Sequence, residues 1–318
     1  MDNETVKVVV ARREMQTPDI AVLELVPIGD APLAHFEAGA HIDVQVGDDV
    51  IRQYSLSNAF DDRGIYRLGV LNDPKSRGGS RAIHDQFAEG REIKISLPRN
   101  HFPLDMGATH TILFGGGIGI TPMISMAYAL KKAKKSFKLH YCCRSQANAA
   151  FRSELETEFG EVLSLHFDDG ADDQKLRPAA MLQPTRVGLH VYVCGPTGFM
   201  DWIIEAAKQS GLPSKQIHFE YFSAEVDTSG DEFEVFAAAS GVTVRVPNGM
   251  SIAKALKAAG VKVDISCEEG VCGTCICDVL EGTPDHRDHF LNDEEKEIGD
   301  QMAVCCSRAK SARLVLDI

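Results

Sequence analysis

Three successive patterns predict a multidomain fold: an antiparallel β-barrel or sandwich, then a parallel-sheet α/β domain, then a small α+β unit. The first pattern, in residues 1–104, is a short alternation of apolar and polar residues, as in "TVKVVVARREM", "AVLELVPI", "HIDVQV" and "YRLGVL", broken by Gly, Asp and Pro. A period of two marks strands with one face on a core, the signature of antiparallel sheets. In residues 105–224 the pattern becomes strand, glycine turn and helix, repeated: "HTILFGGG", "TPMISMAYALKKA", "KLHYCC", "AAFRSELETEF", "HVYVCGPTGFMDWIIEAAKQSG" and "IHFEYF". That alternation predicts a parallel sheet flanked by helices. The polar, acid-rich stretch 225–232 reads as a linker. Residues 233–318 open with a hairpin-like strand pair and a short helix, with Ser251 as its expected N-cap and Gly260 as its terminator.

The bulk properties narrow the function classes. A chain of 318 residues exceeds one ordinary core. It is 44% hydrophobic and 25% charged, as a soluble globular protein is, and no apolar run reaches the length that spans a bilayer. The opening "MDNETVKVVVARREM" lacks the form of a signal peptide, so a cytoplasmic location is expected. In that compartment nine cysteines argue for metal or redox chemistry rather than structural disulfides. A net charge of −13 argues against non-specific nucleic-acid binding.

The cysteines are the most informative residues. Cys267, Cys272 and Cys275 form C-x4-C-x2-C, and Cys305 follows after 29 intervening residues, the plant-type spacing of a [2Fe-2S] cluster. The x4 segment has to wrap around two irons with its N–H groups aimed at sulfur, and Gly270 and Gly273 permit the backbone conformations this needs. A zinc site would favour paired C-x2-C knuckles or histidine partners, which are not arranged that way here. Cys277, Cys142, Cys143 and Cys194 fall in expected strands and read as core thiols. Cys305 and Cys306 are adjacent, and in extended backbone neighbouring side chains point to opposite faces, so only Cys305 is expected to bind iron.

Two glycine loops follow expected strands. "GGGIGITPM" precedes a helix, with Thr121 as the expected N-cap and Pro122 in the first turn. Such a loop brings a phosphate to backbone amides at a helix start. It departs from the Rossmann fingerprint, having Pro122 after Gly117 and Gly119 and no clear ribose-binding acid, and it lacks the Lys-Ser/Thr of a P-loop. "CGPTGFM" is a second loop of the same kind. In the first segment, "RQYSLSN" sets Arg52, Tyr54 and Ser55 on one strand, and "SRGGSRAIH" places two glycines and Ser80 before a helix. Arg52 with the amides of Gly78 to Ser80 can clamp a phosphate while Tyr54 and Ser55 lie against a ring system.

In this order, "RQYSLSN", "GGGIGITPM", "CGPTGFM" and the C-terminal cysteines resemble the phthalate dioxygenase reductase family, the single-chain reductases of Rieske oxygenases, along essentially the whole chain. The resemblance implies a flavin-binding β-barrel (1–104), an NAD-binding domain of the ferredoxin reductase type (105–224) and a β-grasp, plant-type ferredoxin domain (233–318). By the same resemblance, Arg52, Gly78, Gly79 and Ser80 would hold the phosphate of FMN. Gln53, Tyr54 and Ser55, with Val70, Leu71 and Asn72 on the next strand and Thr121 across the boundary, would line its ring. Phe222 would cover the flavin face where nicotinamide arrives, so that Ser55 and Phe222 flank the reaction. Gly115, Gly116, Gly117 and Gly119, with Cys194, Gly195 and Pro196, would line the dinucleotide site. Cys267, Cys272, Cys275 and Cys305 would ligate the cluster.

The implied activity converts the two electrons of NADH into single electrons for a Rieske-type oxygenase, in the catabolism of aromatic or related small molecules. Plant-type clusters sit near about −400 mV and Rieske centres between about −150 and +300 mV, so this transfer runs downhill. FMN is expected over FAD because no extra loop is evident to hold an adenine, and NADH over NADPH by the resemblance, although Arg144 and Ser145 in "YCCRSQ" suit a 2′-phosphate as well. Two other readings remain open: a reductase for another acceptor such as a cytochrome P450, and a flavin/iron–sulfur redox sensor. A dihydroorotate dehydrogenase subunit is disfavoured, because that family sets its last cysteine much nearer the first three.

Overall fold

The computed structural model describes residues 5–29, 31–47, 50–74, 76, 78–182 and 187–318. The chain forms two compact units, Met1–Glu220 and Tyr221–Ile318. Among the described residues no helix is long and apolar enough to cross a membrane.

The first unit begins with strands β1 (Thr5–Met15), β2 (Ile20–Pro27), β3 (His41–Gln45), β4 (Ile51–Ser55) and β5 (Tyr66–Leu71), helix α1 (Gly79–Gln86) and strand β6 (Glu92–Ser96). The six strands form one antiparallel sheet in the order β4-β3-β6-β1-β2-β5. Its two ends meet through a bridge between Leu56 and Leu68 and a hydrogen bond from Ser57 N to Arg67 O, which closes the barrel. The period of two holds in detail: Ile42 and Val44 on β3, and Tyr66, Leu68 and Val70 on β5, all lie in the barrel core. Asp43, on the other face of β3, is also buried and is held by Arg99 at 2.7 Å.

Next come β7 (His110–Gly116), α2 (Ile120–Lys132), β8 (Phe137–Cys143), α3 (Arg152–Phe159), β9 (Leu163–Phe167), α4 (Pro178–Met181), β10 (Leu189–Cys194), α5 (Thr197–Gln209) and β11 (Ile217–Glu220). The sheet order is β11-β10-β7-β8-β9, and every pairing is parallel. The chain therefore starts at the centre, winds to one edge, and returns to the other side of β7. The reversal falls between β7 and β10, and open parallel sheets bind ligands at the carboxyl ends of strands at such a point.

Barrel and sheet are joined within this unit. Arg67 on β5 grips Glu154 on α3 with two hydrogen bonds of 2.7 and 2.8 Å, and Tyr128 of α2 donates a third at 2.7 Å. All partners are at least partly buried, the geometry in which a bidentate ion pair holds two elements in register.

The second unit holds β12 (Phe233–Ala237), β13 (Val242–Val246), α6 (Ile252–Ala258), β14 (Ile276–Glu281), β15 (Pro284–Asp285), α7 (Asp293–Ile298), β16 (Gln301–Ala303), β17 (Arg308–Ala309) and β18 (Arg313–Leu316). Its main sheet runs β13-β12-β18-β14-β16, with a parallel β12–β18 pair between antiparallel neighbours. Ser251 caps α6 by accepting from Lys254 N, and Gly260 follows with φ 80°. Arg308 is buried at the base of this unit, its guanidinium donating to Met250 O at 2.8 Å and Asp231 O at 2.9 Å.

Candidate functional site

Strand β4 and the start of α1 build an anion corner. Arg52 lies so close to α1 that a Cβ on Gly79 would stand 2.4 Å from its Nε, so a side chain there would push the guanidinium away. Gly78 has φ 99°, in the left-handed region, and the N-terminus of α1 has no side-chain cap. Ser80 Oγ is buried beside these amides without a hydrogen-bond partner, as is Gln53 Nε2 one residue after Arg52. A guanidinium, uncapped helical amides and an orphaned hydroxyl make a place for a phosphate. Tyr54 and Ser55 continue along β4, and burial raises the Tyr54 phenol pKa above its ordinary value.

The neighbouring strand contributes mainly backbone. Val70 points into the barrel core, and its carbonyl accepts from His84 Nε2 at 2.9 Å. Leu71 is partly buried, whereas Asn72 is exposed and donates its N–H to Asp19 O at 2.7 Å. Thr121 packs on this strand from the sheet: a Cβ on Gly69 would meet Thr121 Cγ2 at 2.8 Å. Thr121 is not the helix N-cap the sequence suggested. The 3-10 turn Gly117–Gly119 starts the helical path earlier, α2 begins at Ile120, and the Thr121 hydroxyl donates to Ile118 O at 3.0 Å.

At the switch point, Gly115 lies opposite Cys194 in the β7–β10 pairing. The two loops that follow are in contact: a Cβ on Gly119 would come within 2.3 Å of Cys194 O, and one on Gly116 within 2.8 Å of the Phe199 ring. This tight approach explains the glycines. It leaves a floor of backbone at the start of α2 and α5, as the extended phosphates of a dinucleotide require.

Sequence reasoning missed Glu220, the last residue of β11. Its carboxyl group is hydrogen-bonded by Ser55 and lies near Cys194, so it joins barrel and sheet, while its Oε2 is buried without a partner. Burial raises its pKa to about 8, a shift that the Ser55 hydroxyl only partly offsets. Such a carboxyl can hold or release a proton near neutral pH. The only signal in the sequence was an acid at the carboxyl end of a parallel strand. Phe222 lies two residues further on, in the second unit, and is 39% exposed.

In the second unit the four expected ligands come together. Cys267 lies against Cys272 and Cys305, and Cys275 against Cys305. Cys272, Cys275 and Cys305 are buried. These contacts hold the Cys267 thiol far below its ordinary pKa and push Cys272 and Cys305 up. The loop turns through left-handed conformations at Glu268, Gly270 and Gly273, and Glu269 N donates to Cys267 Sγ at 3.3 Å. Among the described residues no three His, Cys, Asp or Glu side chains surround one metal position. Cys306 packs against the same loop, where a Cβ on Gly270 would sit 2.4 Å from its Sγ, and it lies beside Cys305. The backbone here differs from the extended strand on which the expected alternation rests. Residues 304–306 form a turn, closed by Ser307 N donating to Ala303 O at 3.0 Å. Cys142, Cys143, Cys194 and Cys277 are thiols of strands β8, β10 and β14, each with its pKa raised by burial.

Comparison with known proteins agrees with this geometry. Residues 235–310 match the 2Fe-2S iron-sulfur cluster binding domain, and residues 91–217 match the N-terminal domain of dimethylamine monooxygenase subunit DmmA-like proteins. The chain is 46% identical over 316 residues to the vanillate O-demethylase oxidoreductase of Pseudomonas sp. (strain HR199 / DSM 7063), covering 98% of this chain and 100% of that protein. It is 40% identical to the phthalate dioxygenase reductase of Burkholderia cepacia, covering 97% of this chain and 96% of the relative. A solved phthalate dioxygenase reductase superposes with a TM-score of 0.76 at 39% identity over 100% of this chain and 99% of its own. An intact type IV self-sufficient cytochrome P450 monooxygenase matches with a TM-score of 0.87 at 37% identity, over 99% of this chain, which spans 41% of that longer protein. With relatives of this similarity over nearly its whole length, the chain belongs to the vanillate O-demethylase oxidoreductase and phthalate dioxygenase reductase family of oxidoreductases.

Proposed function

We propose that the protein is an NADH-dependent reductase that uses FMN and a [2Fe-2S] cluster to supply single electrons to a Rieske-type oxygenase component. The observation that carries this reading is the presence, in one chain, of a phosphate corner with an orphaned Ser80 hydroxyl and a nest of four touching cysteines. When bound, a flavin would supply the change from two-electron to one-electron chemistry and a cluster would supply one-electron transfer, both chemistries of the cofactors themselves. The protein's share is to bind, orient and tune. Arg52 and the Gly78–Ser80 amides would hold the flavin phosphate, while Gln53, Tyr54, Ser55, the Val70–Asn72 backbone and Thr121 would hold its ring. Gly115–Gly119 and Cys194–Pro196 would carry the dinucleotide, and Phe222 is the aromatic that the family resemblance assigns to the flavin face. Glu220, through Ser55, keeps a proton beside the reacting ring. The working division is a flavin domain over 1–104, a nucleotide domain over 105–224, a linker over 225–232 and a cluster domain over 233–318.

The relatives named for vanillate O-demethylation and phthalate dioxygenation support an aromatic oxygenase as the electron acceptor. The likeness to a self-sufficient cytochrome P450 supports the second reading, a haem acceptor. The test is reconstitution: the purified chain with NADH should sustain product formation by a Rieske oxygenase and not by a P450, and chromatography of the heat-released flavin should give FMN. Turnover with the P450 alone, or an FAD peak, would replace the corresponding part of the reading.

A further inference from the structure

The acid-rich stretch 225–232 reads in the sequence as a linker, yet the second unit grips it along its length. Arg287 Nη1 donates to Asp227 O and Ser229 O, each at 2.7 Å, and Arg308 Nη2 donates to Asp231 O at 2.9 Å. Gly249 N donates to Thr228 O at 3.0 Å, and Gly230 N to Asn248 Oδ1 at 3.0 Å. Backbone held by charged donors is well ordered, since such bonds are roughly twice as strong as neutral ones.

The hold reaches back to Tyr221, where the unit begins. The Tyr221 and His289 rings lie 4.5 Å apart, centroid to centroid, and Ala224 N donates to Glu269 Oε2 at 3.4 Å. Phe222 stands between these anchors, its ring exposed and its backbone outside helix and strand. What its neighbours hold therefore decides where its ring stands. Both anchors are tied to the cysteine loop: His289 N donates to Gly270 O at 3.0 Å, and Glu269 N donates to Cys267 Sγ at 3.3 Å. Glu269 thus binds the Cys267 sulfur through its backbone and the Phe222 segment through its side chain. Outer partners of this kind orient the ligands of a metal site and tune it.

We propose that Glu269 and His289 are positioning residues for the reductase reaction: they fasten Phe222 to the cysteine loop, so that one short path of chain sets both the aromatic and the hydrogen bond on Cys267. The inference rests on the reading of Phe222 as the aromatic of the flavin face. An aromatic over that face competes with nicotinamide, and apparent affinity scales with the fraction of molecules whose face is open. Loosening either anchor frees the ring and raises that fraction.

Two measurements on the purified holoprotein test this: titration with NAD+ followed by flavin difference absorbance, and visible circular dichroism of the oxidised cluster. Phe222→Ala should lower the NAD+ dissociation constant at least threefold and leave the cluster dichroism unchanged. Glu269→Ala should lower the constant at least twofold and alter the dichroism, whereas Glu269→Gln, which keeps an acceptor for Ala224 N, should match the parent in affinity. His289→Ala, at an exposed position whose backbone bond to Gly270 survives, should lower the constant at least twofold with the dichroism unchanged. That variant decides the matter even where Glu269→Ala fails to retain a cluster. Parent-like affinity in Phe222→Ala would overturn the reading of Phe222 and the inference with it. A change there beside parent-like affinity in either anchor variant, or an equal change in Glu269→Gln, would overturn the inference alone.

Discussion

The two units solve the problem of holding a redox group in opposite ways. In the C-terminal unit, three of the four cysteines that touch one another lie within nine residues, Cys267 to Cys275, and the loop between them shapes itself through Gly270 and Gly273. In the N-terminal unit the corresponding groups are spread from Arg52 to Glu220, and no single local segment makes the site. They meet because the barrel closes, the parallel sheet reverses at β7, and Arg67–Glu154 holds the two together. Covalent ligation tolerates a local motif; non-covalent cradling of a large ring needs tertiary structure. Substitutions should therefore act all-or-none in the cluster unit and by degrees in the flavin unit.

The largest contrast is expected within one pair of adjacent residues. Cys305→Ser should remove the visible cluster absorption and with it nearly all electron transfer to cytochrome c, a loss of about a hundredfold or more, as expected when a group that acts as a unit with others is deleted. Cys306→Ser should keep both, with its sulfur packed against Gly270 and beside Cys305 rather than serving as the fourth ligand. Absorption and EPR spectra of the two variants decide the matter, and the reverse outcome would move the fourth ligand by one residue.

A graded effect is expected at Arg52. Arg52→Ala removes a charge-assisted contact, typically worth about 1.5–3 kcal/mol, so the flavin dissociation constant should rise about 10- to 100-fold with the fold intact. Fluorescence titration of the flavin-depleted protein measures it, and unchanged affinity would remove Arg52 from the phosphate corner.

The effect that best separates buried from exposed acids is expected at Glu220. Its folded pKa is raised to about 8 from an ordinary 4.5. Between those values the folded state holds the proton and the unfolded state has lost it, so folding stability falls as pH rises through this window. Glu220→Gln should abolish that slope, which is at most about 1.4 kcal/mol per pH unit. Denaturation midpoints from pH 5 to 8 should then gain on the parent steadily, while hydride transfer slows about tenfold. Parallel midpoints for the two proteins would mean that the carboxyl is ionised throughout.

How far the sequence alone carries follows the same division. The cysteine ligands were legible because spacing along a chain is geometry when the loop is short. The glycine loops were legible for the same reason, each being one strand end and one helix start. Glu220 was not, because an acid at a strand terminus looks solvent-facing until the barrel covers it. The stacked pairs His140–His166 and His190–His218, each joined by a ring-to-ring hydrogen bond, were equally invisible. They depend on which strands become neighbours, and that is fixed only by the sheet order. The helix cap at Gly119 rather than Thr121, and the turn that replaces strand at Cys305, show that local propensity fails where a tight turn precedes a candidate site residue.

The central claim is that the two units act in series, hydride chemistry in the first and one-electron delivery from the second. Anaerobic stopped-flow mixing of Cys272→Ser with NADH, followed at the flavin absorbance, tests it most directly. The account predicts flavin reduction within about threefold of the parent rate (about 0.7 kcal/mol in barrier), together with loss of cytochrome c reduction. A folded variant whose flavin is no longer reduced by NADH, or one that still reduces cytochrome c at the parent rate, would contradict the series.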